Sequence, residues 1–146
     1  MFDFLFRRKK AAEAGKPRSA VVGQWGEDQA AAFLKTNGYQ IVGRNVRSGS
    51  RLDEIDIIAK KGETLVFVEV KTRQHEAFGR PARAVDKEKR RALNRAAAAY
   101  LRKARYPDLF YRFDVIEVLG QPEDPTPPTL RHIEDAFPFE ARRVFP

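Results

Sequence analysis

The segment Leu65-Val66-Phe67-Val68-Glu69-Val70-Lys71 is apolar except at Glu69 and Lys71. Its β-branched and aromatic content predicts a strand over residues 64–72, and alternation along a strand points Glu69 and Lys71 the same way. A carboxylate and an ammonium in so oily a strand are costly to bury unless they pair with each other or meet a metal. The preceding segment repeats the anomaly: Asp56 lies between Ile55 and Ile57-Ile58, with Glu54 two residues earlier. Lys60-Lys61-Gly62-Glu63 has turn chemistry, so the two segments read as a hairpin. A turn through Lys61-Gly62 sets Asp56 opposite Phe67 and Glu69 opposite Glu54, leaving Asp56 and Glu69 as diagonal neighbours about 7–8 Å apart at the backbone. Asp56, Glu69, Lys71 and Glu54 then emerge on one face, whereas a three-residue loop would send Asp56 to the other.

Oxygen ligands without thiolate or imidazole favour a hard cation, and Mg²⁺ (or Mn²⁺) characteristically takes one or two carboxylates, keeps several waters and accepts phosphate. Asp56 and Glu69 are the expected metal ligands. Lys71 beside them would offset a phosphate's growing negative charge or orient the attacking water, which together make a phosphodiester-cleaving arrangement. The plainer reading of the same residues is an ion pair on a solvated sheet face. Glu27, flanked at helical spacing by Gly23, Ala30, Ala31 and Leu34, sits within a packing face and would supply a further acidic group; the alternative is a partly exposed helix glutamate.

These residues need elements to position them. Val22, Trp25, Gln29, Ala32 and Phe33 recur at helical spacing up to Asn37-Gly38, predicting a helix over residues 20–37. Strands are predicted over 39–46, 54–59, 64–72 and 111–119, with a short edge strand at 130–134. A second long helix over 83–105 presents Val85, Ala92, Leu93, Ala96, Tyr100, Leu101 and Ala104 on one face. It must cross over before the chain re-enters the sheet, so the expected fold is α/β, a mixed central sheet flanked by helices in the order α-β-β-β-α-β-β. The expected organisation is a basic N-terminal arm over 1–19, one domain over 20–137 and a C-terminal tail over 138–146. The arm, Met1-Phe2-Asp3-Phe4-Leu5-Phe6 before Arg7-Arg8-Lys9-Lys10, is too short and has its charge on the wrong side for an export signal; it reads as a mobile tail or a docking segment. Asp114, which breaks another apolar strand, reads as a capping or paired structural residue.

Composition narrows the partners. The chain has 146 residues, 42% hydrophobic and 33% charged, enough to bury the core of one domain and too interrupted by charge for a membrane span. Cysteine is absent and the histidines, His75 and His132, are far apart, which excludes disulfides, thiolate catalysis and a zinc–sulfur site and suits a reducing cytoplasm. Twenty-eight Lys and Arg against twenty Asp and Glu leave a net charge of +8, so polyanions, nucleic acid first, are the expected partners. The helix at 83–105 holds nearly all of that excess: Arg83, Lys87, Lys89, Arg90, Arg91, Arg95, Arg102, Lys103 and Arg105 oppose only Asp86 and Glu88. Lys87, Arg91 and Arg95 recur every four residues as a stripe suited to phosphates, or as a solvated helix face. No phosphate-binding glycine loop or nucleophile elbow is present.

The chain resembles the YraN family of small bacterial proteins, assigned to the restriction-endonuclease-like superfamily. The resemblance spans about residues 23–137 and is carried by Gly23-Gln-Trp-Gly26-Glu27, Glu54-Ile-Asp56-Ile-Ile, Leu65-Val-Phe-Val-Glu69-Val-Lys71-Thr-Arg73, Phe78-Gly79, Lys89-Arg-Arg91, Arg112-Phe-Asp114-Val-Ile and Asp135-Ala-Phe137. A looser similarity to archaeal-type Holliday-junction resolvases implies Glu27, Asp56, Glu69 and Lys71 as the catalytic set of a D-x(n)-E-x-K endonuclease. Asp53 departs from the family's usual glycine and would narrow the approach to Glu54 or add negative charge there; Asp135 stands where asparagine is usual. The similar resolvases are dimers, which leaves homodimerisation open. The expected function is thus Mg²⁺-dependent hydrolysis of phosphodiester bonds in DNA, structured or branched DNA included, with Lys87, Arg90, Arg91, Arg95 and Arg73 on the nucleic acid. The alternative is a non-catalytic nucleic-acid-binding or adaptor module working through the basic helix.

Overall fold

The computed structural model describes residues 15–47, 53–74, 85–105 and 107–140. The first fourteen residues of the basic arm, and Arg83 of the expected basic helix, lie outside them. The order is α1 (Arg18–Thr36), β1 (Gln40–Arg47), β2 (Glu54–Lys61), β3 (Thr64–Arg73), α2 (Lys87–Lys103), β4 (Phe110–Leu119) and β5 (Thr129–Phe137), which is the α/β order expected. The strands form one sheet in sequence order; β3 and β4 are parallel and every other neighbouring pair is antiparallel. Parallel pairing requires a crossover, and α2 supplies it. No described helix is long and apolar enough to cross a membrane.

β3 is central and covered on both faces, hence its unbroken run of Val, Leu and Phe. Val66 and Val68 join Ile57, Ala59, Ile116 and Val118 beneath Ala30, Ala31 and Leu34 of α1. Leu65 and Phe67 join Ile58, Phe113 and Val115 beneath Leu93, Ala96, Ala97 and Leu101 of α2. Glu69 and Lys71 continue the second row beyond the apolar patch.

Each helix end has a local cause. Asp86 caps α2 by accepting the Lys89 amide at 2.8 Å. α1 ends in a Schellman arrangement: Gly38 takes φ +86°, and the Gly38 and Tyr39 amides bond the carbonyls of Lys35 and Leu34. Midway, α1 lies so close to β3 that a Cβ on Gly26 would stand 1.9 Å from Thr72 Oγ1. That approach sets the depth of the next residue, Glu27.

Two expectations are corrected. The hairpin turn is Gly62-Glu63 rather than Lys61-Gly62: Lys61 pairs with Thr64 and Ile57 with Val68. Gly62, at φ +57°, occupies the first central position of a two-residue turn, where glycine is favoured. The register therefore moves by two residues and parity is preserved. The expected tail beginning at residue 138 is also partly ordered: Phe139 stacks 5.1 Å from Phe113 and 5.9 Å from Phe67, and the Glu140 amide donates to Asn94 Oδ1 at 2.7 Å. An aromatic side chain of that area is worth more packed on the sheet than in water.

Candidate active site

Carried one residue past Ile57–Val68, the observed register sets Asp56 directly opposite Glu69. There the hairpin opens. The Val70 amide, beyond the last paired residues, donates to Asp56 Oδ2 at 2.8 Å, so a side chain replaces the backbone partner and fixes that carboxyl. Asp56 lies within side-chain hydrogen-bonding reach of both Glu27 and Glu69. Asp56 and Glu69 therefore meet across the opened end of the hairpin, closer than a diagonal register would bring them, although strict alternation breaks beside Asp56: Ile55 packs with the α2 residues and Ile57 with those of α1.

Glu69 is only 6% exposed. Its Oε1 stands 3.8 Å from Lys71 Nζ and 3.7 Å from Lys89 Nζ, while Oε2, like Oε2 of Glu117 on β4, is buried without a hydrogen-bond partner among the described residues. Glu27, Glu54 and Asp56, all half-buried, bring one oxygen each within 4.8 Å of one another. The Asn45 side chain, with its amide nitrogen oriented toward the acids, donates to Glu54 Oε1 at 2.8 Å and reaches Glu27 at 3.3 Å. Arg47 Nε also bonds Glu54 Oε2, at 2.9 Å.

Glu27, Asp56 and Glu69, partly desolvated and close to one another, resist ionising together. Burial, then the Asp56 charge, pushes Glu69 up to about 8, against the pull of Lys89 and Lys71. Burial and Asp56 push Glu27 up to about 7 despite Arg44 nearby. Asp56 is raised as well, chiefly by burial, with the Val70 amide, Glu27 and Lys89 opposing. A divalent cation among these oxygens would offset both the repulsion and the orphaned Glu69 Oε2. The donor set, all carboxylate oxygen, fits a hard ion such as Mg²⁺ or Mn²⁺.

The expected nucleic-acid contacts divide. Lys87 and Arg91 are exposed on the first turns of α2. Arg95 instead bonds buried Asp53 through Nε and Nη2 at 3.1 and 3.2 Å. Asp53 is therefore turned toward α2 and held by a cation, rather than crowding Glu54. Arg90 bonds the Val85 carbonyl at 2.9 Å and lies over the Phe137 ring, a packing role. Arg73 is half-buried at the end of β3, where its carbonyl accepts the Gly120 amide.

Lys89 was visible in the sequence as one basic residue among nine and as the start of the Lys89-Arg-Arg91 motif; its contact with Glu69 depends on where α2 crosses the sheet. Asn45 carried no signal beyond its type, although φ +49° marks it as a position that asparagine tolerates. The acids face a pocket of about 560 Å³ between α1 and β3, which Glu27, Asp56 and Glu69 line. On the other side, a pocket of about 510 Å³ lies between Asp53 and the first turns of α2, with Lys89, Arg91 and Arg95 on its wall.

The arrangement has relatives. The family described as uncharacterised protein family UPF0102 matches residues 26–118, from the close-packed glycine of α1 to the end of β4. The chain belongs to UPF0102. A UPF0102 protein of Geotalea daltonii is 46% identical over 123 residues, covering 84% of this chain and 94% of the relative. One from Symbiobacterium thermophilum is 48% identical over 116 residues, 80% of this chain and 95% of its own length. One from Geobacter sulfurreducens is 42% identical over 123 residues, with 84% and 93% covered. UPF0102 is the YraN family that the motifs resembled, and the matched span contains every member of the carboxylate cluster.

Proposed function

We propose that this UPF0102 protein is a divalent-cation-dependent nuclease that hydrolyses phosphodiester bonds in DNA. One observation carries the reading: buried Glu69 faces Asp56 at the opened end of a hairpin, with one oxygen between two lysines and the other unpartnered, beside a pocket wide enough for a nucleotide. Folding brought these groups together at the cost of their ionisation, which is the condition of a site awaiting a positive ligand.

Asp56 and Glu69 would hold the ion, with Glu27 and Glu54 available on its other side. Bound there, Mg²⁺ supplies polarisation of the phosphoryl group and a more acidic water. The Val70 amide keeps Asp56 in one orientation. Lys71, half-buried, places a fixed positive charge where phosphate charge grows, and does so without reorganising solvent. Glu27, beside Asp56 with an oxygen of each within 4.8 Å, stands where it would take a proton from the attacking water. The net charge of +8 draws in the polyanion, and Lys87 and Arg91 offer exposed contacts to its backbone.

The test is a cleavage screen over single-stranded, nicked, duplex and branched DNA, and RNA, in Mg²⁺ and Mn²⁺, with Glu69→Ala as control. The expected result is metal-dependent cutting of at least one DNA form that Glu69→Ala abolishes. Equal cutting by both proteins, or salt-sensitive DNA binding with neither cutting nor a metal effect, would overturn the reading, and the second outcome would favour the adaptor module.

A further inference from the structure

Glycine inside a helix lowers its stability, and a close neighbour usually explains it. Gly26 has that explanation in Thr72. Gly23, one turn earlier on α1, has none: a Cβ there would meet no atom of the described residues within 4 Å. It lines the pocket beside the carboxylates, where Arg18, Ser19 and Val22 of α1 stand with it across from Val70 and Thr72 of β3. Buried Glu69, with its unpartnered oxygen, closes the inner end.

The lining grades along its length, from carboxylates, through small and apolar surface, to Arg18 and the Ser19 hydroxyl at the start of α1. No side chain caps that helix end and no acid stands in its first turn, so it keeps the positive character that favours phosphate. Arg18 is paired with Glu123 of the β4–β5 connection, and both are exposed, so the pair can exchange with a phosphate. A run of charge, apolar surface and charge again matches a phosphate, its sugar and the next phosphate.

We infer that this pocket seats the sugar–phosphate backbone of the strand being cut, next to the scissile phosphate, and that Gly23 is the position whose missing side chain admits it. The inference rests on the nuclease reading and specifies its substrate: a polynucleotide with a phosphate beyond the reacting one, lying against α1. Bulk at position 23 should therefore exclude the strand while leaving the fold and the metal ligands intact.

The experiment compares wild type, Gly23→Ala and Gly23→Leu for thermal stability, Mn²⁺ affinity and affinity for a short fluorescent DNA oligonucleotide in Ca²⁺. Both variants are expected to melt at or above the wild-type temperature and to bind Mn²⁺ unchanged. Gly23→Leu is expected to lose oligonucleotide affinity by at least about tenfold, the order that one or two misplaced methylenes bring in a fitted pocket, with Gly23→Ala between. Ser19→Leu, at an exposed position on the same pocket, is the second occluding variant should Gly23→Leu not fold, with the same expected loss. Wild-type affinity in an occluding variant overturns the inference and leaves the nuclease reading standing. A wild-type protein that binds no oligonucleotide also overturns the inference, while the nuclease reading stands or falls by the cleavage screen.

Discussion

Two of the carboxylates buried in the sheet, Asp114 and Glu69, are treated in opposite ways. Asp114 on β4 is fully buried, yet each of its oxygens is satisfied. Arg112 donates to both at 2.9 and 3.1 Å, His132 Nε2 lies 2.7 Å away and the Asp135 amide donates at 3.0 Å. Burial alone would raise its pKa; these partners outweigh burial and hold it below the ordinary value. Glu69 on β3 is nearly as buried, has two lysines at the edge of ion-pair distance, and keeps one oxygen unpartnered beside another acid. Its pKa goes up. Partners supplied by the chain make Asp114 a structural tie between β4 and β5. Among the described residues, Glu69 keeps one oxygen without such a tie.

Substitutions should break this contrast at one end and sharpen it at the other. Asp114→Ala removes the buried partner shared by Arg112, His132 and the Asp135 amide and should cost about 3 kcal/mol of unfolding free energy, read from urea denaturation. Glu69→Gln removes a carboxyl that the folded protein resists ionising. Without metal it should leave stability nearly unchanged at pH 4 and raise it at pH 8, while Mn²⁺ no longer shifts the melting temperature.

The pH profile separates the two regions without mutation. Glu27 and Glu69 have folded values above their ordinary 4.5, so their contribution to stability is whole below that value and is lost as pH rises through about 7 and about 8. Asp114 runs the other way: its contribution is present above 3.8 and is lost as pH falls through its lowered folded value. The melting temperature of the metal-free protein should therefore decline on both sides of mildly acidic pH, and Mg²⁺ should flatten only the alkaline decline. The smallest effect is expected at Arg95→Ala. Its exposed guanidinium is the partner of buried Asp53, and that acid's loss of the pair should cost about 1 kcal/mol by denaturation.

Much of this was legible in the chain itself. Period-two alternation is local, so spacing suggested that Asp56 and Glu69 converge, although the alternation itself breaks beside Asp56, where Ile55 packs with the α2 residues and Ile57 with those of α1. Asp114 was legible as a structural pair because a lone acid in an apolar strand must find partners, although which ones depended on β5 folding back beside β4. Register was the harder quantity: turns through Lys61-Gly62 and Gly62-Glu63 preserve the same parity, and only the packed hairpin selects the second, which moves Asp56 from beside Phe67 to opposite Glu69. Lys89 and the Asp53–Arg95 pair join residues far apart in sequence, through a helix whose position over the sheet no periodicity specifies. Phe139 was missed because the proline before it reads as an end, whereas an aromatic residue can still pack beyond it.

The central claim is that Asp56 and Glu69 together form a cation site, and Mn²⁺ titration by calorimetry at pH 7 tests it most directly, run on wild type and Asp56→Ala in two buffers of different ionisation enthalpy. Wild type should bind with a millimolar or tighter Kd and release protons as the raised carboxyls ionise, and Asp56→Ala should show neither. The same heat and the same proton release from both proteins would contradict the account.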